Sequence, residues 1–197
     1  MITFRTAARR TAGVVAGSAL AVAAIAAVAG PALAATSTFT DSRGDMSQGA
    51  DIRRVWVDNG ATKLRINVVH RDLVRSFRSG SSLSVFIDTD RARTGPEFVF
   101  VAGTFEGADY ALLPADGFRM KGNRQVPLHG GTAQMRVDYV DDIARIRIDR
   151  VVLDNPGRVR VEVKTGAELL PAGDGSPSTE VDWLGTPRTF TPWVPRG

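Results

Sequence analysis

The chain contains no cysteine. Disulfides, a thiol nucleophile and Cys-ligated metals are thereby excluded, so stability must come from a packed core, helped at most by a bound ion. Histidine is almost as scarce, with His70 and His129 each beside a turn. No His-x-x-x-His or His-Glu pair supplies the ligand spacing of a zinc site. No Gly-x-Ser-x-Gly elbow accompanies either histidine, and no glycine pattern for cradling phosphate occurs. A hydrolase would therefore need a site gathered from distant parts of the chain. Lysine is represented only by Lys63, Lys121 and Lys164, so arginine carries nearly all the positive charge. This bias reflects base composition rather than mechanism.

A long apolar run occurs once, at the start. Arg5, Arg9 and Arg10 precede an uncharged stretch from Thr11 to Gly30, and Ala32-Leu33-Ala34 then offers small residues where a signal peptidase reads them. Residues 1–34 are expected to be a helical signal peptide cleaved before Ala35, leaving a secreted, extracellular domain with no membrane span. The whole chain carries 25 Lys+Arg against 21 Asp+Glu. Three of the arginines lie in the leader, so the remainder is nearly neutral. Its basic residues are spread along the sequence, which argues against nucleic acid as a partner.

Beyond residue 34 the chain is a succession of short alternating segments. Ile52 to Asp58 and Leu64 to Val68 alternate on either side of Asn59-Gly60, a pair that predicts a type I′ hairpin. Ser82 to Ile87, Glu97 to Thr104, Tyr110 to Leu113, Gln134 to Tyr139, Ile143 to Asp149 and Val159 to Val163 repeat the pattern. Thr36 to Thr40, Phe118 to Lys121 and Gln125 to Leu128 are further short candidates, and Thr189 to Val194 reads as a Pro-limited edge strand. Arg71 to Arg78 and Arg150 to Leu153 have room for a helical turn each. Thr165 to Glu180 reads as a long loop opening an irregular Gly/Pro-rich segment, 165–197. About ten strands with frequent turn signals predict an all-β fold, an antiparallel β-sandwich built as one domain over 35–197.

Two groups of residues carry candidate chemistry. Asp88 and Asp90 end a strand, and with Glu97 and Asp109 they offer oxygens for an irregular calcium site. An EF-hand loop is excluded by Ala92 and Arg93. The alternative is that Asp88 and Asp90 turn the chain and pair with Arg91 or Arg93. Trp56, on the polar side of its strand, and Trp183 and Trp193, in the Pro-rich tail, are candidate platforms for a sugar ring or another apolar face. The alternative there is that each seals an edge of the core.

Several of these residues, in one order, also carry a resemblance. They are Asp41 with Gly44-Asp45, Asp51-Ile52, Phe86-Ile87-Asp88-Thr89-Asp90, Thr94-Gly95, Gly107-Ala108-Asp109-Tyr110, Asn155-Pro156-Gly157-Arg158-Val159 and the Phe190 to Val194 ending. Together they resemble secreted actinobacterial β-sandwich proteins related to family 9 carbohydrate-binding modules and DOMON-like domains. The resemblance implies a jelly-roll-like sandwich and a non-enzymatic binding role toward a carbohydrate or cell-envelope glycan. It carries no ligand site across, because the aromatic sugar clamp of those modules has no defined counterpart here. A cell-surface structural domain that meets a surface protein is the alternative function.

Overall fold

A computed structural model describes residues 35–42, 44, 46–47, 49–169 and 178–197. The expected signal peptide over 1–34 and Asp45 lie outside them. The strands are β1 (Ala35–Thr40), β2 (Ile52–Asn59), β3 (Lys63–His70), β4 (Ser82–Asp88), β5 (Phe98–Gly103), β6 (Tyr110–Pro114), β7 (Ala133–Asp138), β8 (Ile143–Asp149), β9 (Arg158–Leu169), β10 (Ser178–Trp183) and β11 (Val194–Pro195). They form two antiparallel sheets packed as a β-sandwich. The first sheet has the order β1-β2-β3-β8-β7 and the second β10-β9-β4-β5-β6, with β11 added to β9.

The period-2 pattern sorts each strand into an inner and an outer row. From the first sheet Val55, Val57, Leu64, Ile66, Val68, Ala144, Ile146 and Ile148 point inward, and Leu83, Val85, Ile87, Phe100, Val159, Val161 and Val163 meet them from the second. β-Branched residues predominate because their stiff side chains pack well on a pleated surface. Most of these side chains are fully buried, at about 1.5–3 kcal/mol apiece relative to exposure.

Three expectations are corrected by the structure. Asn59-Gly60 does not form a type I′ turn. Asn59 stays in β2, paired with Leu64, and neither residue has a positive φ. The reason lies in its side chain: fully buried, it donates from Nδ2 to the Val194 carbonyl at 3.0 Å and accepts from the Arg150 guanidinium. A buried amide with both ends satisfied holds this position in the strand and ties the tail to the core. Second, the expected loop from Thr165 to Glu180 is strand at both ends. Thr165–Leu169 continue β9, and Ser178–Glu180 begin β10 in register with them. Thr165 and Ala167 are buried, so this end of β9 still has a core to face. Third, Phe118 to Lys121, Gln125 to Leu128 and Thr189 to Trp193 are not strands: an isolated bridge from Ala115 to Met120 forms in the first region, and the expected edge strand of the tail is reduced to Val194–Pro195 paired with β9. The helical turns at Phe77–Ser79 and Arg150–Leu153 are both 3-10.

Candidate functional site

The outer faces of the two sheets differ in what lies on them. On the second sheet part of the outer face is apolar and covered: Phe86 of β4, Val99 of β5 and Leu113 of β6 are buried, with Val101, Ala111, Phe118, Trp183 and Phe190 packed against them, while Ser82 and Ser84 continue the outer row of β4. Trp183 stacks on Phe86 at 6.1 Å between centroids, and Phe118 meets Phe86 edge-on at 5.3 Å. Phe118 also contacts Phe190 at 5.1 Å. Arg160 lies 4.6 Å from the Phe190 ring and 4.7 Å from that of Trp193. Trp183 and Trp193 thus serve to dock the C-terminal segment on the sheet. Trp183 does not stand on a loop but ends β10.

Beneath that segment is a residue the alternating pattern did not single out. Glu162 lies between Arg160 and Lys164 on what reads as a wet face of β9, yet it is fully buried beside its register partner Phe86. Burial pushes its carboxyl up to about 8. The backbone amides of Arg188 and Thr189 face it and work in the opposite direction, while Asp41 adds to the rise. Arg188 has φ 61°, a left-handed conformation in the turn that presents those amides. The signal that reveals Glu162 is tertiary: the tail folds back over β9, with Thr191 N–H donating to the Val161 carbonyl at 2.8 Å.

The candidate calcium ligands do not converge. Asp88 ends β4 at the edge where Ile87 pairs with Phe98, whereas Asp109 lies past the other end, where Ser82 pairs with Gly103. Seven strand residues, about 20 Å, separate the two ends. The Asp88 carboxylate is fully buried and bound by Arg160, with Nε at 2.7 Å and Nη2 at 2.5 Å. Asp90 accepts from the Ala92 amide at 2.9 Å in a local turn. Glu97 accepts from the Thr89 amide at 2.8 Å and its hydroxyl at 3.2 Å. Among the described residues no three acidic or histidine side chains group as a metal site. The turn reading of Asp88 and Asp90 is the one these contacts match, with Arg160 in place of Arg91 or Arg93.

Neither histidine gathers a catalytic set. His70 is buried, its Nδ1 is 2.8 Å from the Ala50 carbonyl, and burial lowers its pKa to about 4. It borders a hollow with Thr40, Asp41, Arg53, Arg54 and Arg71, which contains no serine. His129 is exposed in a turn, at φ 48°. A cleft of about 890 Å³ lies on the second sheet among Leu83, Ala102, Phe105, Tyr110 and Met120, with Asp109 as its single charged residue.

The outer face of the first sheet has no such cover among the described residues. Trp56 stands half-buried near its middle, between Thr38 of β1 and Asn67 of β3. Arg54 lies 5.3 Å from its ring centroid. The register continues the row from Asn67 to Arg145 and from Arg145 to Arg136. The neighbouring row runs Thr36, Asp58, Arg65, Arg147, Gln134. Arg54, Lys63, Arg65, Arg136, Arg145 and Arg147 therefore share one face with Asp58, Asp138 and Asp149. This corrects the expectation of evenly spread basic charge. Each arginine looks isolated along the chain, and the sheet register brings them together.

Part of that charge is compensated. Arg65 pairs with Asp58 at 2.7 Å, Lys63 pairs with Asp149, and Arg145 reaches Asp138 at 3.3 Å and Asp141 at 3.4 Å. The Asp138 carboxyl is held below its usual range, first by amide hydrogen bonds from Asp141 and Val140 and then by Arg145. Asp149 is lowered chiefly by Lys63 and then by Thr132. These carboxylates are therefore ionised at neutral pH. Arg136 and Arg147 are exposed and form no ion pair among the described residues. With Gln134, Asp138 and Arg145 they line a groove of about 440 Å³.

The chain matches no protein-family model and no curated relative. Among the described residues no helix is long and apolar enough to cross a membrane.

Proposed function

We propose that this chain is an exported, non-catalytic binding module whose ligand is a carbohydrate or cell-envelope glycan, held on the outer face of the first sheet around Trp56. The observation that carries the reading is the setting of Trp56: a half-exposed indole on an uncovered sheet face, between Thr38 and Asn67 and beside Arg54. An indole presents a rigid apolar surface to the C–H face of a sugar ring. Hydroxyl, amide and guanidinium groups around it suit the ring's hydroxyls. Arg54 is held at that ring and by no ion pair among the described residues, so it is free to turn toward a ligand. The jelly-roll-like course of the strands and a leader over 1–34 belong to the same reading. The resemblance to family 9 and DOMON-like modules supports it, and the dispersal of His70, His129 and the carboxylates supports a role without catalysis.

Retention on insoluble polysaccharides and on a glycan array tests the proposal. The wild-type chain is expected to be retained by at least one glycan and Trp56→Ala to lose that retention while keeping the folded far-UV circular dichroism spectrum. No retention on any glycan, or wild-type retention by Trp56→Ala, overturns it.

A further inference from the structure

The arrangement of arginines on the first sheet has a cost that folding does not require. Arg65 of β3 is directly opposite Arg147 of β8, and Arg145 of β8 is directly opposite Arg136 of β7. Like charges in directly opposed positions on a sheet face destabilise it. Asp58 offsets the first pair at Arg65, and Asp138 and Asp141 offset the second at Arg145. Arg147 and Arg136 are left with excess charge next to each other's rows, on either side of the groove that includes Gln134. A sheet shaped by stability alone would place a carboxylate or a threonine at one of each pair. Surplus cations on neighbouring strands, Arg147 opposite Gln134 and Arg136 opposite Arg145, unpaired and exposed, match a ligand that brings its own negative charge.

We infer that the glycan bound by this face is polyanionic, a polysaccharide bearing carboxylate or phosphate groups, with Arg136 and Arg147 taking its anionic groups and Trp56 a sugar ring. The inference rests on the glycan-binding reading above. The row from Trp56 through Asn67 and Arg145 to Arg136 crosses three strand spacings, roughly 14 Å, so one extended chain lying across the strands can meet both ends. Guanidinium groups suit this task because their planar donor fork matches carboxylate and phosphate oxygens in pairs. A saccharide ligand is favoured over nucleic acid because Asp58, Asp138 and Asp149 lie among the arginines. Their oxygens can accept hydrogen bonds from the free hydroxyls of a sugar ring, donors that a DNA backbone does not offer.

Affinity electrophoresis with the full domain tests this. The gels would carry polygalacturonate, a phosphorylated mannan or a neutral dextran, with a single-stranded oligodeoxynucleotide as competitor. Wild type is expected to bind one of the two polyanions at least tenfold more tightly than dextran, and the stronger one identifies the anionic group. R136Q/R147Q is expected to lose at least tenfold of that affinity with an unchanged or higher melting temperature. The charge-matched control R119Q/R124Q, in an exposed loop, should stay within twofold of wild type. Equal losses in the two double variants would overturn the inference by showing a net-charge effect. Retention on a neutral glycan with no preference for either polyanion overturns the inference and leaves the glycan-binding reading standing. No binding to any polysaccharide removes both. An oligodeoxynucleotide that outcompetes both polyanions for the same arginines overturns the assignment of ligand class.

Discussion

The two outer faces of this sandwich solve the same problem in opposite ways. A sheet packed on a core by one side must do something with the other. On the second sheet an apolar patch of outward residues, Phe86, Val99 and Leu113, is covered by Phe118 from the β6–β7 connection and by Trp183 and Phe190. That cover buries Glu162, while the β4–β9 register pairs Asp88 with Arg160. On the first sheet the outward residues are mostly polar or charged around one indole, and among the described residues nothing folds over them. The difference teaches where to look for function. Aromatic residues on the covered face pack under other segments, whereas the indole on the open face is left half-exposed. Trp183 and Trp193 on the one hand and Trp56 on the other are all candidate platforms in sequence, and their surroundings separate them.

Substitutions on the covered face should cost the most. Phe86→Ala removes the ring on which Trp183 and Phe118 pack and is expected to destabilise the fold by about 3–4 kcal/mol in urea unfolding, with binding unchanged once the protein is folded. An effect below about 1 kcal/mol would mean that the tail does not depend on this cluster. Arg160→Ala strands the buried Asp88 carboxylate and frees two aromatic rings. Its expected cost is about 2–3 kcal/mol, less than for a fully buried pair because the guanidinium is partly solvated.

Glu162 gives the covered face a distinctive pH dependence. Its folded pKa, about 8, lies above the ordinary 4.5, so between these the folded state holds a proton that the unfolded state releases. Its stabilising contribution is complete below pH 4.5 and is lost as pH rises toward 8, at up to roughly 1.4 kcal/mol per pH unit. His70 acts with the opposite sign: its folded pKa is about 4 against 6.5, so its contribution is present above pH 6.5 and is lost as pH falls toward 4. Unfolding of Glu162→Gln across pH 5 to 9 should lose the decline above pH 6.5, where His70 no longer contributes to the slope. An unaltered profile would show that Glu162 is not the group responsible.

Smaller effects are expected elsewhere. Because Arg160 already occupies Asp88 and Asp109 is at the far end of β4, calorimetry with millimolar calcium or with chelator should give the same melting temperature. A rise with calcium would restore a site at the Asp88 end. On the open face, Arg147→Gln relieves its opposition to Arg65 and should stabilise the fold by a few tenths of a kcal/mol. A loss of stability there would mean that the arginine row is structural after all.

Much of the fold is legible in the sequence because alternation is a local property. Leu64, Ile66 and Val68 declare their inward face without reference to any other strand. What escapes is whatever a distant segment decides. Asn59 reads as a turn residue until Arg150 and Val194 converge on its amide. Thr165 to Leu169 read as loop because the partner strand lies beyond a Gly/Pro-rich stretch. Glu162 reads as solvated because the covering tail is some 26 residues farther on, around Arg188. The same holds for the site. Trp56 is recognisable from its place on a polar face, but the arginine rows come into view only when the register sets β3 beside β8 and β8 beside β7.

The most direct test of ligand binding on the open face is amide chemical-shift mapping of the domain during titration with oligogalacturonate. Perturbations are expected to centre on β2, β3, β8 and β7, strongest near Trp56, Arg136 and Arg147, together with a shift of the Trp56 indole N–H. Perturbations confined to β9, β10 and the tail around Trp183 and Trp193, with the Trp56 indole unmoved, would contradict binding at the open face.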